Sequence, residues 1–397
     1  MAEKPANPAK ENSKFAGWYS DSDLKTRYTF TEPVTKNITL YAAWIGVVNV
    51  SVPTGDGYTS TPAGVKSVTI GDDFTFTIGA KDGYTVTAVY AGEQQIGTAP
   101  GTFTITPEAD IPITVVFSKD GKTTETTETT VDNDDGTVTT NETKTETDGT
   151  PGNATISEKS TTKDGETVKS TVETTADVTS SAVSIEVKGD SDNVSVSGSI
   201  AEAIDAAGSV ENKNVAVTTP KKTVTIEKDA WDILGETDVT VTVNNGAEFK
   251  TAITVSKETF GTQSSLALGV AESSKVIPSE IGTTTKAFDL TATMGGNAVS
   301  TFEKKVKVVM TFDSIPSNAS KVYAYCIDNE EKIEATFNSQ TGEVSFETPH
   351  FSSWTIVYEE PSSSSGSNTL AIVIAVVLVG CLALAAVAVL FRRKNAA

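Results

Sequence analysis

Chemistry needs side chains that change protonation, attack, or hold a metal, and this chain carries few of them. It has one histidine, His350, and two cysteines, Cys326 and Cys381. A Ser–His–Asp or Cys–His arrangement would have to run through His350. That residue lies in the strand-like run ETPHFSSW, which predicts a structural histidine. Cys326 alternates with aromatic residues in YAYCID, as a sheet residue would. Zinc wants several His or Cys ligands, and the chain before its apolar tail offers only these two. The DNDDG stretch, Asp132 to Gly136, has fragments of a calcium loop but lacks the later ligands and the closing Glu, so it predicts a hairpin turn. Nothing singles out a pair of carboxylates for glycoside hydrolysis. The expectation is a protein that is not an enzyme, with no catalytic residue, cofactor or metal.

The elements around these residues read as strands. Thr, Ser, Val and Gly dominate and Leu is scarce before residue 370, a balance that suits pleated, half-buried strands. With 31 basic against 52 acidic residues the net charge is -21, which repels polyphosphate and argues against a nucleic-acid partner. At the far end LAIVIAVVLVGCLALAAVAVLF, residues 370–391, is an unbroken apolar run. About 20 such residues suffice to cross a bilayer as a helix. Arg392, Arg393 and Lys394 follow at once, which predicts a cytoplasmic tail and an outward-facing remainder. Cys381 would be a small apolar residue of that helix.

Seven segments are expected. Residues 1–46 form a first small module and 47–118 a β-sandwich module, with alternation on either side of an Asp82-Gly83 hairpin turn. Residues 119–180 form a Thr-rich ribbon punctuated by Asp-Gly at 120, 135, 148 and 164. Its polar strands bury little, so it predicts a coreless β-hairpin stalk or a linker. Residues 181–360 form a C-terminal β-sandwich with two short helical insertions, 361–369 a Ser-rich spacer, 370–391 the transmembrane helix and 392–397 the tail. The fold class is mainly β, in tandem modules, followed by that helix.

KFAGWYSDSDLKTRYTFTEPVTKNITLYAAW resembles the Listeria–Bacteroides repeat, the B-repeat of internalin-type surface proteins, through Phe15, Gly17, Trp18, Tyr19, Leu40, Tyr41, Ala42 and Trp44. The resemblance implies a small β-grasp-like fold whose aromatics form its core. It also implies a first strand ahead of the segment before GWY. The expectation is therefore of a longer precursor with that strand, a glycine-rich turn and a signal peptide upstream. The end of the chain, KVYAYCIDNEEKIEATFNSQTGEVSFETPHFSSW, resembles a module that closes S-layer and other envelope proteins, through Tyr323, Tyr325, Phe346, Thr348, His350, Phe351 and Ser352.

The reading is a single-pass, membrane-anchored, extracellular surface protein of a bacterial or archaeal envelope. It is adhesin-like, with a host or cell-surface protein or glycan as ligand. The alternatives are a structural envelope or S-layer-associated protein, or the anchoring remnant of a surface enzyme. Asn37, Asn49, Asn141, Asn153, Asn193 and Asn318 stand in N-x-[ST] triplets and are candidate glycosylation sites, although Ser and Thr are common enough to supply such triplets by chance.

Overall fold

A computed structural model describes residues 4–10, 13–31, 33–133, 135–244, 250–261 and 263–360. Near the N-terminus, Ser13–Tyr19 runs antiparallel to the first half of Tyr41–Val52, with Phe15 opposite Trp44 and Trp18 opposite Ala42. A bulge between Phe15 and Gly17 holds Gly17 at φ 137°, a conformation that favours glycine. Phe15 meets Trp18 and Trp44 edge-on, with centroids 5.3 and 5.6 Å apart. From Val47 onward the same long strand pairs with Gly64–Thr69, so one continuous strand carries the first unit into the second.

The second unit stacks two sheets. Phe74–Ala80 pairs with Tyr58–Thr61 and Gly101–Ile105, while Thr85–Ala91 pairs with Gln94–Gly97 and Ile111–Lys119. The Asp82-Gly83 turn therefore carries the chain from one sheet to the other and closes no hairpin. The reason is the core: Phe76 and Ile78 from one sheet must face Val86, Val89, Ile113 and Val115 from the other.

The Asp-Gly pairs of the ribbon do close hairpins. Lys122–Asp132, Val138–Thr147, Ala154–Asp164 and Thr167–Val178 form a four-stranded antiparallel array, with Gly121, Gly136, Gly149 and Gly165 all at positive φ. One edge continues into Ile111–Lys119 and the other into Ala182–Gly189. The ribbon is not coreless along its whole length. Ala154, Ile156, Ala176 and Val178 are buried in the large core of the C-terminal half, because helix α1 (Gly198–Ala207) covers that end of one face.

After the ribbon the chain makes two similar coils. Ala182–Gly189, Asn193–Val196 and α1 form the first; Asn214–Thr219, Thr223–Ile226 and helix α2 (Lys228–Leu234) form the second. Corresponding strands pair in parallel, Val183 beside Val215 and Val194 beside Val224. The helices expected as insertions are thus the return legs of a repeated coil, which parallel strands require. Val239–Asn244 adds a third parallel strand to the first stack, and the remaining strands are mostly antiparallel to their neighbours. Ile200, Ile204, Trp231, Leu234, Val308 and Trp354 meet in one core and each is wholly buried. Side chains of this size contribute roughly 1.5–3 kcal/mol each when buried.

The expected fold class included a membrane-crossing helix, and this is corrected: among the described residues no helix is long and apolar enough to cross a membrane. The longest, α1, has ten residues and alternates buried with exposed positions. The run at 370–391, with Cys381, lies outside the described residues.

Candidate functional site

Where the ribbon meets the second stack of strands, a cleft of about 430 Å³ opens. Its floor follows the ribbon register. Thr139 faces Thr162, which faces Ser170; Asn141 faces Ser160, which faces Val172. Directly opposed residues in a sheet share a face, so two cross-strand rows of small polar side chains point into one space. The far wall is Asn193, Val194 and Ser195, from a strand that pairs on one side only, together with Thr225 and Glu227. Thr139 and Thr162 share a hydroxyl hydrogen bond of 2.9 Å, and the Asn133 amide donates to Thr139 Oγ1 at 3.0 Å.

Asn141 departs from this order. It is 7% exposed, and its Oδ1 has no hydrogen-bond partner. The residue opposite, Ser160, could have supplied one, but its hydroxyl donates to Glu158 Oε1 at 3.2 Å. The ribbon thus holds a buried acceptor without a donor, which costs about 1–3 kcal/mol. At the mouth Glu227 is exposed as a residue, yet protein atoms crowd its carboxyl: their desolvation raises its pKa, and the Gly198 N–H and Ser195 hydroxyl hold it down in part.

Beneath the cleft, Glu158 binds the ribbon to α1. It is 4% exposed and accepts hydrogen bonds from Thr143 Oγ1 at 3.1 Å, from Ser160, and from the Ser197 and Ser199 hydroxyls. Ser197 also caps α1, accepting from the Ile200 N–H at 3.2 Å. The carboxylate therefore stands at the positive end of the helix. On the other ribbon face Glu128, 5% exposed, lies opposite Glu142, and its Oε1 has no partner. Burial first, then the charge of Glu142, push its pKa up to about 7, with Lys66 opposing.

His350 stands elsewhere. Its Nε2 is 2.6 Å from Glu331 Oε2 and its Nδ1 3.1 Å from Ser352 Oγ, and the ring stacks on Trp354 with centroids 5.3 Å apart. Ser, His and Glu stand in a line, but the Ser352 hydroxyl donates to the Phe351 carbonyl at 2.7 Å. Its proton is directed to the main chain rather than to the ring. Cys326 is a free thiol, wholly buried, and Phe346 and Phe351 are core residues. Asp135 of DNDDG accepts from the Thr137 N–H and hydroxyl, at 3.0 and 2.7 Å, as a turn residue does. Among the described residues no group of three His, Cys, Asp or Glu could hold a metal ion.

In the N-terminal unit Gly17 is buried, Phe15, Trp18, Tyr19, Leu40 and Trp44 are half-buried and Tyr41 is exposed. Phe15, Trp18, Arg27, Tyr28 and Phe30 line a shallow hollow of about 350 Å³. Of the glycosylation candidates, Asn37, Asn193 and Asn318 are exposed, Asn49 and Asn153 half-buried, and Asn141 buried. Sequence reasoning missed the Asn141–Ser160–Glu158–Ser197 group. The one available signal was Ser197 immediately ahead of GSIAEAIDAA, a helix cap.

Comparison with known proteins adds a class for one part of the chain. Residues 1–43 match the Listeria-Bacteroides repeat domain, and this stretch is such a repeat. Over 59 residues the chain is 44% identical to a protein of Evansella cellulosilytica named "Putative membrane protein". The match covers 14% of this chain and 9% of that relative, so the chain spans less than a tenth of the length of the protein it matches. No solved structure matches.

Proposed function

We propose that the protein works at the cell surface as an adhesin-like molecule, presenting β-modules that bind a cell-surface protein or glycan rather than turning over a substrate. The observation that carries this reading is the cleft beside Asn141, whose lining of hydroxyls, amides and one carboxyl is suited to recognition. Two comparisons support the location: the repeat at residues 1–43 belongs to a family found in surface proteins, and the Evansella relative is named for the membrane. The non-enzymatic part of the reading draws on His350, whose ring contacts go to Glu331, Ser352 and Trp354.

The test is adhesion. Beads coated with the full-length chain should retain cells or a defined surface glycoprotein above uncoated beads, and loss of the gene should lower attachment of the producing cell. Unchanged attachment together with bare beads refutes the adhesin role and favours a structural envelope protein. A hydrolytic activity abolished by His350→Ala in a folded protein refutes the non-enzymatic part.

A further inference from the structure

We infer that the hollow beside Arg27 in the N-terminal repeat is a binding site for a sugar ring that carries an acidic group. This names a ligand class for the adhesin-like reading and rests on it only for its biological setting. Arg27 is the one arginine ahead of the apolar run at 370–391, where every other strongly basic side chain is a lysine. It is exposed, and among the described residues no carboxylate pairs with its guanidinium. The two acids nearest in the chain are committed elsewhere: Asp21 accepts from the Lys25 and Thr26 N–H groups at 2.9 and 2.7 Å, and Asp23 pairs with Lys25 at 3.0 Å. Gly17 gives the guanidinium its seat against the bulge, since a Cβ there would stand 3.0 Å from Arg27 Nε. A fork of donors is thus placed beside the hollow with no acceptor of its own.

The surroundings select the ligand. Lys4 and Arg27 line the hollow and, among the described residues, no Asp or Glu does. Residues 1–46 hold six basic and five acidic residues, against 31 and 52 in the whole chain, so an anion meets less repulsion here than over the rest of the molecule. A guanidinium matches a carboxylate or sulfate through two parallel N–H bonds. Phe15, Trp18, Tyr28 and Phe30 line the same hollow and are half-buried, which leaves ring surface against which the C–H face of a pyranose can lie. An acidic peptide is the competing ligand, and the main chain disfavours it. The Tyr28 N–H donates to the Trp18 carbonyl at 2.8 Å and the Ser20 N–H to the Thr26 carbonyl at 3.0 Å, so the strand edge at the hollow is already occupied and takes no added strand. The volume, about 350 Å³, lies at the small end of the range of roughly 300–1,000 Å³ typical of ligand sites.

The experiment titrates the full-length chain with glucuronic acid, N-acetylneuraminic acid and a sulfated N-acetylglucosamine, beside neutral glucose and N-acetylglucosamine, and reads binding by saturation-transfer NMR and calorimetry. At least one acidic sugar should bind saturably, and roughly tenfold or more tighter than its neutral counterpart. The carboxylated and sulfated arms show which acidic group the guanidinium prefers. Arg27→Gln should weaken that binding by roughly tenfold or more while the melting temperature stays that of the parent, because the side chain is exposed. The inference is overturned if no acidic sugar binds, if the neutral sugars bind as tightly, or if Arg27→Gln binds as the parent does. It is overturned as well if inorganic sulfate binds as tightly as the acidic sugars, which marks a bare anion site, or if an oligo-aspartate peptide displaces them at equal concentration. Acidic-sugar binding without adhesion leaves the site standing and refutes the adhesin role. Adhesion by a parent chain that binds no acidic sugar refutes the site alone.

Discussion

Replacing Glu158 by alanine should be among the most damaging single changes outside the apolar core. The carboxylate accepts from four hydroxyls, those of Thr143, Ser160, Ser197 and Ser199, and stands at the capped end of α1. A hydrogen bond to a charged group contributes about 1.5–3 kcal/mol, and bonds that share an acceptor do not add. Thr143 is buried and would be stranded, Ser197 keeps the Ser199 hydroxyl at 3.1 Å as a partner, and Ser160 and Ser199 are half-buried and can turn to water. One stranded hydroxyl, the lost bonds to the charged group and a weakened cap give an expected loss of about 3–5 kcal/mol, a large share of the ~5–15 kcal/mol that holds a domain folded. Glu158→Gln keeps the volume and one acceptor oxygen, and should cost about 1–2 kcal/mol. Urea unfolding followed by the fluorescence of Trp231 and Trp354, both wholly buried, measures the difference. A Glu158→Ala variant within about 0.5 kcal/mol of the parent would refute the role given to this carboxylate. Equal losses for Ala and Gln would refute the hydrogen-bond count and leave charge against the helix dipole as the cause.

Other perturbations follow from the same geometry. Glu128 has a pKa raised from 4.5 to about 7 in the folded chain, so the native state holds this proton more tightly than the unfolded one. Its neutral form is tolerated below pH 4.5, and stability falls as pH rises from there to about 7. Glu128→Gln should remove that fall and stabilise the protein at pH 8 by about 1–3 kcal/mol, read from melting curves across pH. An unchanged pH profile refutes it. His350→Ala should cost about 1–3 kcal/mol through the lost Glu331 bond and Trp354 stacking, measured by denaturant titration, and a neutral result would mean that neither contact matters. If the chain is glycosylated, peptide mass spectrometry should find sugar on Asn37, Asn193 or Asn318 and none on Asn141, since a buried amide cannot carry a glycan in the fold. Full occupancy at Asn141 would contradict the register of the ribbon.

What the sequence makes legible is local. The Asp-Gly pairs of the ribbon mark its hairpins because the positive φ that each turn needs falls on its glycine, and the spacing of Phe15, Trp18 and Trp44 marks the repeat because their rings pack on one another across two neighbouring strands, although each stays half-buried. Asp82-Gly83 has the same local chemistry and yet joins two sheets, because the partner of each flanking strand is chosen by Phe76, Ile78, Val89 and Ile113 at a distance. Parallel pairing is hidden for the same reason: Val183 and Val215 lie 32 residues apart, with a strand and a helix between them, and no turn signal records their contact.

The cleft is the extreme case of this dependence. Asn141, Ser160 and Ser170 read singly as polar positions on a solvated ribbon, and a Thr-rich strand with such residues on both faces has no reason to order itself. Order comes from one end, where Ile156 and Ala176 enter a core that α1 covers, and from Glu158, which turns four otherwise indifferent hydroxyls into one fixed group. Once Ser160 is bound to Glu158 it does not satisfy Asn141, so the group that rigidifies the ribbon also leaves a buried acceptor without a donor. The two roles should separate in one variant: Ser160→Ala offers Asn141 no new donor and leaves Glu158 three partners, so it should cost about 1 kcal/mol, well below the loss expected for Glu158→Ala. A loss as large as that of Glu158→Ala, read from the same urea titration, would mean that Ser160 holds more of the ribbon than its bond to Glu158 accounts for.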